Sequence, residues 1–218
     1  MKTLLILSGG MDSATLLYDL VRDGDTVEAI GVNYKQRHSK ELKCAAELCE
    51  GLGVRFDVLD VSNLSSFLTG NSQSDPTVEV PFGKYDEPNM KITVVPNRNM
   101  TMLAAAGAIA IARKADRLAY GAHSGDHAIY PDCRPEFVKA MQHALRVCDW
   151  HALSLYVPYI NMTKGDICKR GTDLQVPYEK TWTCYVGGET PCGKCGACTE
   201  REEAFMFAGV RDPLMVVS

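Results

Sequence analysis

The stretch Thr3-Leu4-Leu5-Ile6-Leu7-Ser8-Gly9-Gly10-Met11-Asp12-Ser13 decides how this chain folds. Its apolar run predicts a strand buried on both faces. Through Ser-Gly-Gly the pattern then switches to helical spacing at Ala14-Thr15-Leu16-Leu17-Tyr18-Asp19-Leu20. A buried strand, a glycine turn and a helix N-terminus in succession make an anion site. Unpaired amides of the first helical turn point at the ligand, and glycine lets the backbone approach its oxygens. Ser8 and Ser13 supply hydroxyls, and Asp12 is the expected helix N-cap. No Gly-Lys-Ser/Thr follows, which excludes a phosphate loop of the lysine-bearing kind.

Outward from this stretch, apolar runs alternate with helical patterns, which predicts an α/β fold with a doubly wound, Rossmann-like parallel sheet. Strands are expected over 3–7, 27–33, 54–61, 117–122 and 153–160, and helices over 13–22, 39–52, 100–114, 135–149 and 164–170. In the helix over 135–149, Phe137, Val138, Met141, Ala144, Leu145 and Cys148 recur at helical spacing behind Pro135, which suits the first position. Thr163 and Asp166 read as a capping box with Asp in place of Glu. The segment 100–112 is apolar nearly all round, so it must lie between the sheet and something else, and a second subunit is the expected cover. Residues 67–91 carry glycines and prolines without periodicity, and a loop this long is usually functional or mobile. Ligands of such a sheet bind beyond the carboxyl ends of the strands, where Ser8 to Ser13, Tyr34 and the segment 121–126 gather.

At 218 residues and 46% hydrophobic, the chain suffices for one buried domain and an appendage. With the first strand starting at Thr3, no signal peptide is expected. No uncharged apolar run reaches the roughly 18 residues of a membrane span. A cytoplasmic protein without membrane contact is the expectation. The net charge of −4, without a lysine or arginine cluster, speaks against a nucleic-acid partner.

Nine cysteines then require metal binding or burial, since disulfides do not persist in that compartment. Four of them, Cys184, Cys192, Cys195 and Cys198, lie within fifteen residues, three at CxxCxxC spacing with glycines between. Such a set can wrap one tetrahedral ion, and a structural Zn²⁺ is the expected occupant. An iron–sulfur cluster is the rival, because the spacing is also ferredoxin-like. Cys44, Cys49, Cys148 and Cys168 fall in helical patterns and read as small core residues.

The Ser-Gly-Gly-x-Asp-Ser loop resembles that of the PP-loop ATP pyrophosphatases. Further along come Val95-Pro96-Asn97-Arg98-Asn99, Tyr130-Pro131-Asp132-Cys133-Arg134-Pro135, Thr163-Lys164, Thr181-Trp182-Thr183-Cys184-Tyr185 and the cysteine knuckle. In this order they resemble the 7-cyano-7-deazaguanine synthase family over nearly the whole chain. Asn97 departs from the glycine expected in that turn, but asparagine tolerates a left-handed backbone.

The resemblance implies an adenine nucleotide alpha-hydrolase-like domain over 1–180 and a zinc-binding tail over 181–218. It further implies a ligase acting on 7-carboxy-7-deazaguanine, ammonia and ATP with Mg²⁺, through an adenylated intermediate, while the apolar segment 100–112 is what predicts a homodimer. Leu7, Ser8, Gly9, Gly10, Met11, Asp12, Ser13 and Ala14 would bind the nucleotide. Asp12, Ser13, Arg98 and Lys164 would carry the chemistry. Arg98, Asp126, Asp132 and Arg134 would bind the deazapurine, with Asp132 on its guanidine-like edge and Arg134 on its carboxylate. His123 and His127, which flank Asp126, are candidates to relay protons from ammonium. Nitrile formation needs a second activation at the amide oxygen, so two ATP per product are expected. The alternative is a PP-loop enzyme that adenylates a base in tRNA.

Overall fold

The computed structural model describes residues 1–36, 40–84 and 88–215. Five parallel strands form one sheet in the order β3-β2-β1-β4-β5. They are β1 (Lys2–Ile6), β2 (Thr26–Asn33), β3 (Arg55–Asp60), β4 (Arg117–Ala119) and β5 (Ser154–Tyr156). The helices are α1 (Met11–Arg22), α2 (Lys40–Leu52), α3 (Arg98–Ala112), α4 (Pro135–Val147), α5 (Lys164–Asp173) and α6 (Gly196–Ala208). Strand β1 is central and its apolar run divides by alternation. Leu5 and Leu7 face a core made with α1, α2, α5 and α6, while Leu4 and Ile6 face α3 and α4. The chain order reverses between β1 and β4, and the crevice there opens at the carboxyl ends of the strands. Among the described residues no helix is long and apolar enough to cross a membrane.

Several elements differ from the sequence expectation. Strand β4 ends at Ala119 and not at 122, and β5 spans only Ser154–Tyr156. After Tyr120, whose N–H still donates to the Tyr156 carbonyl at 3.2 Å, the chain leaves the ladder and Gly121 to His123 line the crevice. The expected start of α2 at Ser39 lies outside the described residues. Asp12 is not the cap of α1: Gly10 holds that position and Met11 is already helical, so Asp12 sits one residue inside the first turn. Helix α3 begins earlier than expected, at Arg98, since left-handed Asn97 (φ 57°) turns the chain into it and Asp132 accepts the Asn99 N–H at 3.0 Å. The predicted capping box of α5 is present, with Thr163 and Asp166 bonded reciprocally.

Helix α3 packs one side on the sheet, but Met100, Ala104, Ala108 and Ala112 form an exposed row. Helix α6 has no counterpart in the expectation. The described part of 67–91 folds against the domain, with a 3-10 turn at Pro88–Thr93 and with Asn71, Ser72 and Gln73 buried.

Candidate active site and metal centre

The loop after β1 is shaped by its own serines. The Gly10 N–H donates to Ser8 Oγ at 3.2 Å, Ser8 Oγ lies 2.9 Å from Ser13 Oγ, and Ser13 Oγ donates to the Gly10 carbonyl at 3.2 Å. This closed ring holds the loop in one conformation before any ligand arrives. The Gly9 carbonyl accepts the Trp182 N–H at 2.9 Å, so the cysteine-rich tail grips the loop from outside. Ser8, Gly10, Met11, Asp12 and Ser13 line a cavity of about 230 Å³, together with Leu7. Gly9 and Ala14 are expected nucleotide residues that do not line it. Gly9 is backed against α2, and Ala14 is fully buried under the helix.

One wall of the cavity is a buried charge cluster. Lys164 Nζ lies 2.6 Å from Glu200 Oε2 and 3.3 Å from Asp12 Oδ2. Burial opposes the lysine's charge, but the carboxylates of Asp12, Glu200 and Asp126 outweigh it and hold its pKa above the ordinary value. Burial drives the Glu200 carboxyl upward, and Lys164 works against that. His123 is buried with Nε2 at 3.7 Å from Asp12 and 3.5 Å from Asp126. Its Nδ1 accepts the Gly125 amide at 3.1 Å, so the neutral ring carries its proton on Nε2, toward the carboxylates. Glu200 escaped sequence reasoning because it lies past the cysteines. The signal was its place two residues after Cys198 on an unrecognised helix.

Arg98, at the first turn of α3, also lines the cavity, with its guanidinium 5.8 Å from the Tyr130 ring centre. Burial disfavours its charge, yet Tyr34, Tyr130, Cys133 and Asp132 keep it firmly protonated. Tyr34 and Glu41 close this side, and burial raises the Glu41 carboxyl to about 7 despite Arg98. Cys133 lines the same wall, and burial pushes its thiol upward, so it stands there as a neutral group.

Asp126 lines the cavity, whereas Asp132 and Arg134 do not. Asp132 binds the Asn99 amide, and exposed Arg134 donates to the His127 carbonyl at 2.8 Å. Of the two candidate relays only His123 reaches the cavity. Gln73 also lines it, from the segment that had no assigned role.

The sulfurs of Cys184, Cys192, Cys195 and Cys198 all lie within 4.8 Å of one another, and Cys192 Sγ is 4.0 Å from Cys198 Sγ. A tetrahedral ion with bonds of about 2.3 Å requires sulfur separations of about 3.8 Å, so the four are gathered as one ligand set. Backbone amides point at them: Cys192 N–H toward Cys184 Sγ at 3.3 Å, and Lys194 and Cys195 N–H toward Cys192 Sγ at 3.4 and 3.3 Å. Donors of this kind favour thiolates.

A family model described as queuosine biosynthesis protein QueC matches residues 2–209. The 7-cyano-7-deazaguanine synthase of Methanoregula boonei is 54% identical over 214 residues, which is 98% of each chain. That of Hahella chejuensis is 49% identical over 213 residues, covering 98% of this chain and 92% of the other. Among solved structures, the NMN synthetase of Francisella tularensis aligns with a TM-score of 0.54 at 17% identity, over 96% of this chain and 78% of that one. The U34-tRNA thiolase NcsA of Methanococcus maripaludis aligns with a TM-score of 0.53 at 16% identity, over 94% and 63%. At such identities these structures speak for the fold alone.

Proposed function

The chain belongs to the family of queuosine biosynthesis protein QueC, and from that premise we propose that it is an ATP-dependent carbon–nitrogen ligase making 7-cyano-7-deazaguanine from 7-carboxy-7-deazaguanine and ammonia. The observation that carries this reading is a single cavity lined by the Ser8–Ser13 loop and by two buried cations, Lys164 and Arg98. Two anions, a triphosphate and a heterocyclic carboxylate, can meet there.

A carboxylate resists attack by nitrogen until its oxygen becomes a leaving group. The carboxylate oxygen attacks the α-phosphorus of ATP, and the bond to pyrophosphate breaks. The amides of the loop, Ser13 and Lys164 stabilise the charge that develops on the departing group. Ammonia then attacks the acyl carbon and AMP leaves, giving the amide. A second adenylation at the amide oxygen, followed by loss of AMP, leaves the nitrile. Asp126 stands where a proton shed by ammonium can be accepted, and the His123 Nε2–H faces that carboxylate at 3.5 Å. Arg98 pairs with the deazapurine carboxylate, and Asp132 holds the first turn of α3 that carries Arg98. Arg134, bonded to backbone at the surface, has no part in this scheme.

Asp12 Oδ1 is buried without a hydrogen-bond partner among the described residues, which fits a Mg²⁺ shared with the phosphates. That ion would neutralise charge on the leaving pyrophosphate. The four sulfurs fit a single Zn²⁺, since a cluster of several irons, each bound by a different cysteine, would spread them further. We place the protein in the cytoplasm as a homodimer, joined through the exposed row of α3 with Val147 and Trp150 at the end of α4. The domain boundary is best drawn near residue 180, where the chain turns toward Trp182 and the cysteines.

The test is a product assay with Mg-ATP, ammonium and 7-carboxy-7-deazaguanine, followed by mass spectrometry and phosphorus NMR. The expected outcome is the nitrile with two AMP and two pyrophosphate. Failure to consume the acid, or release of ADP and phosphate, overturns the reading.

A further inference from the structure

Resting on that substrate reading, we propose that Gln73 determines specificity for the deazapurine, its carboxamide reading the lactam edge of the ring by donating to the ring carbonyl. Gln73 lines the cavity and is only 7% exposed, and its Nε2 is buried with no hydrogen-bond partner among the described residues. A buried amide donor left unpaired destabilises the free protein, so its persistence points to an acceptor supplied by a ligand.

The position is built and not an accident of a loose loop. Asn71 Oδ1 accepts the Gln73 N–H at 3.1 Å and the Ser74 N–H at 3.0 Å, while Asn71 Nδ2 donates to the Leu68 carbonyl at 2.8 Å. The Ser72 N–H donates to the Ile92 carbonyl at 2.8 Å, which ties the segment to the turn at Pro88–Thr93.

That turn also fixes which ligand Gln73 meets. Thr93 Oγ1 bonds Tyr130 Oη at 2.6 Å, and the Tyr130 ring lies under Arg98. Gln73 is therefore tied through Thr93 and Tyr130 to the part of the cavity that carries Arg98, where the heterocyclic acid is placed. A deazaguanine presents a carbonyl beside a ring N–H, and a primary carboxamide is its complement: amide N–H to C=O, amide C=O to N–H. A site built to hydrogen-bond a substrate group rejects analogues that lack it far more strongly than a merely apolar pocket does.

The experiment uses the full chain with Gln73→Met, close in shape and without the donor. Steady-state rates are measured with 7-carboxy-7-deazaguanine and with its analogue carrying hydrogen in place of the ring carbonyl. Wild type is expected to prefer the true substrate by about 100-fold or more in kcat/KM. In Gln73→Met that preference falls below about tenfold, KM for the acid rises, and KM for ATP stays within about twofold. The ligand-free variant melts at or above the wild-type temperature, because an unpaired donor has been removed. A preference unchanged in the variant overturns the proposal, as does a rise in KM for ATP, which would assign the donor to adenine. If wild type does not turn over the acid, the substrate reading itself fails, a result separable from either of these. Should Gln73→Met not fold, Gln73→Ala carries the same comparison.

Discussion

Replacing Gly9 with alanine should unseat the phosphate loop, whereas the same change at Gly10 should not. Gly9 has φ +88°, and a Cβ there would lie 2.0 Å from the Glu41 carbonyl oxygen, 2.9 Å from its carbon and 3.0 Å from Ala45 N. Carbon and carbonyl oxygen approach no closer than about 3.3 Å without repulsion, so the first turn of α2 must retreat by about 1 Å. That turn is backbone and cannot swing aside like a side chain. The left-handed conformation alone costs about 1–2 kcal/mol for alanine, and forcing a packed helix outward costs about 1–3 kcal/mol more. At about 2–4 °C per kcal/mol, Gly9→Ala should melt about 5–15 °C below wild type. Gly10 has φ −79°, and its added Cβ would meet Ser8 Oγ at 3.4 Å and the Trp182 carbonyl at 3.6 Å, ordinary contacts. Gly10→Ala should stay within about 2 °C of wild type. Thermal denaturation gives the first readout and ATP-dependent pyrophosphate release the second. Release should fall at least about 100-fold in Gly9→Ala, since α2 carries Glu41 into the cavity wall, and less than about tenfold in Gly10→Ala. Equal melting of the two variants, or a Gly9→Ala protein that melts like wild type, would refute the steric reasoning.

Glu41 gives a pH dependence whose sign follows from its carboxyl, lifted by burial from 4.5 to about 7. The folded state holds this proton more tightly, so its stabilisation is complete below the unfolded value and is lost as pH rises through about 7. Glu41→Gln, neutral throughout, should therefore melt a few degrees above wild type at pH 8 and equal to it at pH 4, an advantage of about 1–3 kcal/mol; the reverse order would contradict the buried carboxylate. Lys164→Met leaves Asp12 and Glu200 facing each other without their cation, and should lose about 3–5 kcal/mol in denaturant unfolding, partly restored by adding Glu200→Gln. Metal analysis should find one zinc per chain, lost in Cys198→Ser and retained in Cys168→Ser, whose sulfur lies in the α1–α5 core. Sedimentation should give a dimer for wild type and a monomer for Ala104→Glu, which puts a charge in the exposed row of α3.

The sheet was legible because β1 is a continuous apolar run, β2 is one interrupted only by Glu28, and the switch to helical spacing after Gly10 is abrupt. Strand ends were not, because Gly121 to His123 line the cavity and Val157, Tyr159 and Ile160 pack into the cores while keeping the apolar character of strand residues. The Ser8–Ser13 loop and the cysteine set are contiguous in sequence, and the structure gathers each into one group. The partners of Lys164 were not legible, since the pair with Glu200 spans thirty-six residues and depends on how α5 packs on α6. Asp132 and Arg134 were misplaced for a related reason. Residue type suggested substrate contacts, but Asp132 is taken up by an orphan amide of α3, a claim that no local pattern records. Helix α6 was hidden because the glycines that let the cysteines converge also mask its start.

The tail is better understood as part of the cavity wall than as a staple on its rim. The Trp182 N–H holds the Gly9 carbonyl, and Trp182, Thr183, Tyr185 and Ala197 line the cavity beside the phosphate loop. Glu200, one turn into α6, supplies the closest counter-charge of Lys164. Arg201 is 3% exposed and binds Asp212 through both of its oxygens, at 2.7 and 2.9 Å, while reaching Thr181 Oγ1 at 2.8 Å and the Tyr178 carbonyl at 3.1 Å. This fork fixes the approach to Trp182 from one side as the cysteines fix it from the other. The described loop joins in, since the Gly83 N–H donates to the Lys194 carbonyl at 3.3 Å. A four-sulfur site in this position sets the start of α6, hence Glu200, hence the place of Lys164 in the cavity wall. Geometry at the four sulfurs and geometry at the cavity wall are therefore one constraint, so a change at any of the four cysteines reaches Lys164 through α6.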